Sequence, residues 1–214
     1  MTHVAPPPPY AKPPFDGPAL RLALVLGDSR LGHLRDRVAG WAQRELARRQ
    51  VAFDVIVNQR QVPVYPASPR PNAVQSTLSE RLQCADMFLL LLSAEEGLDQ
   101  EPAWSRMVQA TEAAWQAKPI GFIVYGGKLT DSTWVDQLRL SFAECQAMPL
   151  GRPISCAHAH ERFGTRGELY ASLGESQRLT YLLARLTWWA HALRQARLAL
   201  PYNLVGNAPA VISP

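Results

Sequence analysis

The sequence predicts a three-layer α/β sandwich around a parallel sheet, and three observations carry that expectation. Short apolar runs alternate with helical patterns through the middle of the chain. The run Asp86 to Leu92 is so uniformly apolar that it must be covered on both faces, as a central parallel strand is. Parallel neighbours need crossover connections, and the stretches between the runs carry helical stripes that supply them. With 214 residues, 47% apolar and 19% charged, the chain suits one domain with a large core and excludes both a second domain of similar size and a disordered chain.

The elements follow in order. Residues 1 to 19, with the run Pro6 to Pro9 and further prolines at 13, 14 and 18, read as a polyproline-II-like tail. The domain is expected over residues 20–198. It opens with the strand Leu20 to Leu26, which ends in Gly27-Asp28-Ser29-Arg30 and passes into a helix bearing Leu34, Val38, Trp41, Ala42 and Leu46 on one face. Arginines 35, 37, 44, 48 and 49 take the other face. Ala52 to Val57 is the second strand, Ala73 to Cys84 a helix, and Asp86 to Leu92 the central strand. A single stripe of Trp104, Met107, Val108, Thr111 and Trp115 precedes the strand Ile120 to Tyr125. Val135, Leu138, Phe142 and Cys145 mark the next helix, and a weaker fifth strand lies near Arg152 to Ala157. The last helix, about Glu175 to Leu198, carries Leu179, Leu182, Leu183, Leu186, Trp189, Leu193 and Ala196 at helical spacing. Trp188 and Trp189 face about 100° apart and cannot both enter one subunit's core, so one is expected to meet another chain. Residues 199–214 read as a loose tail or an arm against a partner subunit.

Composition also bounds the function. Three cysteines cannot build a disulfide framework, so Cys84, Cys145 and Cys156 are read as reduced thiols. Cys84 and Cys145 are expected to pack in the core. No apolar run reaches membrane-span length, and the N-terminus lacks the order of a signal peptide, which predicts a cytoplasmic protein. The net charge of +4 rests on 22 cationic side chains, of which only Lys12, Lys118 and Lys128 are lysines. No basic run is interleaved with aromatics, so neither a nucleic acid nor a membrane is expected as partner.

In such sheets ligands bind beyond the carboxyl ends of the strands. Three loops therefore matter. The first, Gly27 to Arg35, has the make-up of an anion site: a glycine for the turn, the Ser29 hydroxyl, the arginines 30 and 35, and the free amides of the following helix. Asp28 opposes an anion there, or caps the helix. The second loop, with Ser93, Glu95, Glu96, Asp99 and Glu101, is read as solvated, although Glu95 and Glu96 could serve as an acid/base pair or a hard-metal site. The third, Tyr125-Gly126-Gly127-Lys128, lets a ligand approach the backbone, or is an ordinary turn. His158 and His160 alternate as on one face of a strand, but without a third ligand they make a poor metal site.

In sequence order these segments resemble the NAD(P)H-dependent FMN reductase family. The similar segments are Gly27-Asp28-Ser29-Arg30-Leu31-Gly32, Val38-Ala39-Gly40-Trp41, Ala85-Asp86, Lys118-Pro119, Tyr125-Gly126-Gly127, Gln137-Leu138-Arg139 and the final Trp-Trp-Ala, over roughly residues 20 to 198. The resemblance implies a flavodoxin-like fold with a five-stranded sheet of order 2-1-3-4-5. It also implies FMN as cofactor, NAD(P)H as co-substrate, a small electron acceptor and a homo-oligomer, dimer or tetramer. No protein nucleophile or metal is implied. Ser29, Arg30, His33, Leu34 and Arg35 would hold the phosphate, while Ala94, Glu95, Glu96 and Gly97 with Tyr125, Gly126, Gly127 and Lys128 would line the ring. All three loops depart from the family pattern. Asp28 stands where the family has a phosphate-binding serine, Ser93-Ala94-Glu95-Glu96 replaces Pro-Glu-Tyr-Asn, and Lys128 to Asp131 replaces a second glycine pair. Two alternatives follow: a flavin-free scaffold serving as a binding module, or chemistry on another anionic substrate with Glu95 or Glu96 as acid or base.

Overall fold

A computed structural model of the chain describes residues 18–27, 29–30, 32–58, 73–126, 133–162, 164, 169–170 and 172–205. The tails up to residue 17 and from residue 206, together with Asp28, Leu31, Gly127 and Lys128, lie outside the described residues.

The strands are β1 (Arg21–Gly27), β2 (Ala52–Asn58), β3 (Met87–Ser93), β4 (Pro119–Gly126), β5 (Met148–Pro149) and β6 (Ile154–Ala157). They form one parallel sheet of order β2-β1-β3-β4-β5, with β6 also pairing with β4. Every residue of β3 and β4 is buried, as the apolar run over residues 86–92 requires of a central strand. Side chains alternate between two cores. On one face Leu24, Leu26, Leu89, Leu91 and Ile123 pack with α1 (Gly32–Arg48) and with α6 (Leu173–Ala199), through Leu34, Val38, Trp41, Leu179, Leu183 and Leu186. On the other, Val25, Leu90, Leu92, Phe122 and Val124 meet α2 (Ala73–Gln83), α3 (Gly97–Ala110), α4 (Glu112–Trp115) and α5 (Thr133–Glu144). Trp115 anchors that second core, 4.3 Å from Phe88 and 5.0 Å from Phe142 between ring centroids.

The weaker strand expected near Arg152 to Ala157 is present as β6, and the two-residue β5 before it is additional, set apart because Pro149 and Pro153 lack a backbone donor and Gly151 turns the chain at φ 58°. Three sequence expectations need correction. The single stripe from Trp104 to Trp115 is broken at Thr111, whose hydroxyl donates to the Met107 carbonyl (2.6 Å) and accepts from Trp115 Nε1 (2.9 Å). A side-chain bond of this kind competes with the helical ladder. His158 does not lie in a strand: it adopts φ 50° and starts a short 3₁₀ turn, where both histidines approach Glu161, at 3.5 and 3.3 Å. Cys84 is exposed at the turn after α2, where Leu82 fills the core position instead; Cys145 and Cys156 are buried. Trp188 is exposed while Trp189 packs against the core, as their 100° separation demands. Beyond α6 the short helix α7 (Tyr202–Val205) lies beside Gln116 and Gln146.

The N-terminal edge of the sheet is clamped by charge. Asp86, just before β3, accepts from the Arg21 N–H (3.0 Å) and from Arg194 (3.4 Å), and lies 3.6 Å from Arg197, both on α6. Arg197 also donates to the Ala117 carbonyl, and Arg194 to that of Pro18 (2.9 Å). Lys118 is buried and donates to the carbonyls of Leu82 (3.3 Å) and Gln83 (2.9 Å), closing the C-terminus of α2. Burial, with the Arg197 charge beside it, pulls its pKa down to about 8.

Candidate functional site

The opposite edge brings together the carboxyl ends of β1, β3 and β4. Ser93 pairs with Tyr125 in register, and the Ala94 N–H donates to the Tyr125 carbonyl (2.8 Å), so the loops after β3 and β4 leave the sheet side by side. The Tyr125 and Ser29 hydroxyls share a hydrogen bond, which ties the first loop to the same place. Burial raises the Tyr125 pKa to about 12, the Glu96 charge adds to the rise, and Ser29 and Arg35 oppose it.

Glu96 holds the centre. Its Oε1 accepts from the Arg30 backbone N–H (2.7 Å), and its Oε2 accepts from Gln100 Nε2 (2.8 Å) one helical turn further on. Glu96 is 8% exposed, so the expectation of a wholly solvated acidic loop is overturned for this residue. Glu95 beside it is exposed, since adjacent loop side chains point apart. The pair therefore does not converge as an acid/base couple, and among the described residues no His, Cys, Asp and Glu group is arranged to hold a metal.

Gly27 makes this arrangement possible. A Cβ there would sit 2.8 Å from Gln100 Oε1 and 3.2 Å from Trp104 Nε1, so the missing side chain is the space into which Gln100 reaches to brace Glu96. Gly126 ends β4 at φ 145°, a conformation that favours glycine, with Ala94 and Glu95 packed against it. Of the other expected site residues, Arg35 is folded back: Nε donates to Asp36 (2.8 Å) and Nη1 to the Gly27 carbonyl (3.4 Å). His33 is exposed and Leu34 is buried in the core, so Leu34 offers a ligand only its backbone. Ala94 is half-buried, and Gly97 opens α3.

The topology is matched by solved structures. An oxidoreductase from Corynebacterium diphtheriae is 14% identical, with a TM-score of 0.53 over 82% of this chain and 96% of its own. The flavoenzyme NAD(P)H:(acceptor) oxidoreductase FerB from Paracoccus denitrificans is 12% identical, with a TM-score of 0.55 over 83% and 98%. A flavodoxin from the domain Archaea is 14% identical, with a TM-score of 0.50 over 81% and 99%. The chain has a flavodoxin-like fold. No protein-family model and no curated protein matches the sequence.

A flavodoxin-like sheet offers this edge to its ligand. The residues present do not fit a flavin phosphate as they stand, because the Arg30 N–H already holds a carboxylate and a second anion beside Glu96 would be repelled. Two surface cavities lie elsewhere, one beside α7 and one along Arg21, Phe53, Arg81 and Cys84. Sequence reading placed Glu96 in the right loop but missed its partner. The spacing of Glu96 and Gln100, one helical turn apart, was the available signal.

Proposed function

We propose that the chain is a flavin-dependent oxidoreductase that passes reducing equivalents from NAD(P)H to a small acceptor in the cytoplasm. The observation that carries this reading is the carboxyl edge of a flavodoxin-like sheet, where the loops after β1, β3 and β4 converge. It is supported by structural neighbours named as a flavodoxin and as an NAD(P)H:(acceptor) oxidoreductase. A bound flavin ring would supply hydride chemistry, and the protein's part is to orient it and exclude side reactions. Ser29, Arg30, Ala94, Gly126 and the exposed Glu95 are the residues available to line it. Titration of the purified protein with flavin, followed by quenching of flavin fluorescence, tests the reading; fluorescence unchanged by both FMN and riboflavin overturns it.

A second reading is a flavin-free scaffold working as a self-associating module. Glu96 seated on the Arg30 amide favours it, and so does the exposed Trp188 on α6. It predicts an oligomer whose mass by light scattering falls in Trp188→Ala, and an unchanged mass rejects that interface.

A further inference from the structure

We propose that Glu96 is a built-in anion that selects against a phosphate, so that the carboxyl edge of the sheet takes a flavin without one, riboflavin in preference to FMN. This rests on the flavin reading above and names the ligand class within it. Two features lead there. The first is the seat itself: Glu96 Oε1 on the Arg30 N–H places a carboxylate at the backbone amide that an incoming phosphate would need. The second is the brace. Gln100 Nε2 holds the other oxygen, Gln100 in turn occupies the space left by Gly27, and the Gln100 N–H donates to the Glu96 carbonyl (2.9 Å). The carboxylate is thus fixed from two sides, and displacing it leaves a buried amide donor on Gln100 to be satisfied again.

Asp28 adds a second carboxylate to the same loop in the sequence. Exposed Glu112 on α4 provides the control, since it carries the same charge outside the three loops.

The test is a fluorescence titration of the wild type, Glu96→Gln and Glu112→Gln with riboflavin and with FMN. A carboxylate a few ångströms from a phosphate costs up to about a hundredfold in affinity near a protein surface. The wild type is expected to bind riboflavin about tenfold or more tightly than FMN. Glu96→Gln keeps an oxygen to accept the Arg30 N–H, and is expected to tighten FMN about tenfold or more while riboflavin changes little. Glu112→Gln should leave the ratio as it is. A melting curve of Glu96→Gln confirms folding; should it fail to fold, Gln100→Ala, which only unbraces the carboxylate, is titrated instead and must move the ratio in the same direction. Wild type that binds FMN as tightly as riboflavin, or a ratio that Glu96→Gln leaves unchanged, overturns this proposal and leaves the flavin reading standing. Failure of every variant to bind either flavin overturns both.

Discussion

At the N-terminal edge of the sheet Asp86 meets two guanidinium groups and a backbone amide, whereas at the C-terminal edge Glu96 sits on two amides. Both are carboxylates at the end of a central strand, and both join elements distant in sequence. The first joins α6 to β3 and carries opposite charges that neutralise one another. The second is held by dipoles of the kind that a ligand's acceptor atoms can also engage. Charge pairing at one edge therefore fixes the scaffold, and amide pairing at the other leaves a seat that a ligand can contest. The sites that should lower stability lie at the first edge, and those that should change ligand choice lie at the second.

The comparison breaks most visibly at Asp86. In Asp86→Ala, Arg194 and Arg197 lose their shared anion while Lys118 stays nearby, and breaking a partly buried pair costs about 3 kcal/mol. For a chain of this size that is a fall of about 6 to 12 °C in Tm, readable by calorimetry. Flavin selectivity should not change. A variant that melts like the wild type, or that shifts the riboflavin to FMN ratio, would erase the distinction between the two edges.

Lys118 gives the same edge a pH signature. Its pKa is about 8 in the folded chain against an ordinary 10.5, so between these values the unfolded chain binds more protons and stability rises with pH. The gain is complete above the ordinary value and is lost as pH falls through about 8. Tyr125 and Cys156, both pushed up to about 12 by burial, act in the opposite sense, but they are common to the wild type and to Lys118→Met and cancel in the difference. Relative to Lys118→Met, the wild type should gain about 3 kcal/mol across that window in urea melts. A flat difference would mean that the lysine is not desolvated.

A smaller effect is expected where the ligand edge is itself clamped. Glu175 opens α6 in a reciprocal cap with Ser172 and accepts from both terminal guanidinium nitrogens of Arg162 at 2.9 Å. Burial alone would raise its pKa, but the Arg162 pair and the Ser172 hydrogen bonds outweigh that and lower it. Its contribution is therefore present above the ordinary carboxylate value of 4.5 and is lost as pH falls below it. Glu175→Gln should cost about 1 to 2 kcal/mol at neutral pH and less in acid, a convergence that acid-dependent melting would show.

The parallel sheet was legible because apolar runs such as Leu89 to Leu92 and the stripe along α6 record burial directly, whereas its order followed only from the resemblance of the loop segments, since burial does not say which strands are neighbours. Thr111 was misread since its methyl suits a buried stripe while its hydroxyl breaks the ladder, and pattern alone registers only the first. Cys84 was misread for a related reason, being a residue type that favours cores placed at a helix end that faces solvent. In the candidate site the three loops could be named, because strand ends locate them. Which acidic residue turned inward could not, since neighbouring Glu95 and Glu96 are identical in type and differ only in the direction the loop gives them. That direction is set by Gly27 and Gln100, far apart in sequence and adjacent only after folding.

The smallest expected effect sharpens the comparison most, because it changes the seat without touching a charge. In Gly27→Ala the new Cβ meets Gln100 Oε1 at 2.8 Å and the rigid Trp104 ring at 3.2 Å, so the flexible Gln100 amide must yield. Glu96 then keeps the Arg30 N–H but loses part of its brace, and its carboxylate swings more freely. An external phosphate competes better against a loosened carboxylate than against a fixed one, yet the negative charge remains. FMN should therefore gain a few-fold in affinity relative to riboflavin, less than in Glu96→Gln, with a stability cost of about 1 kcal/mol. An equal or larger gain than in Glu96→Gln would show that Trp104 and Gln100, rather than the charge on Glu96, control entry at this edge.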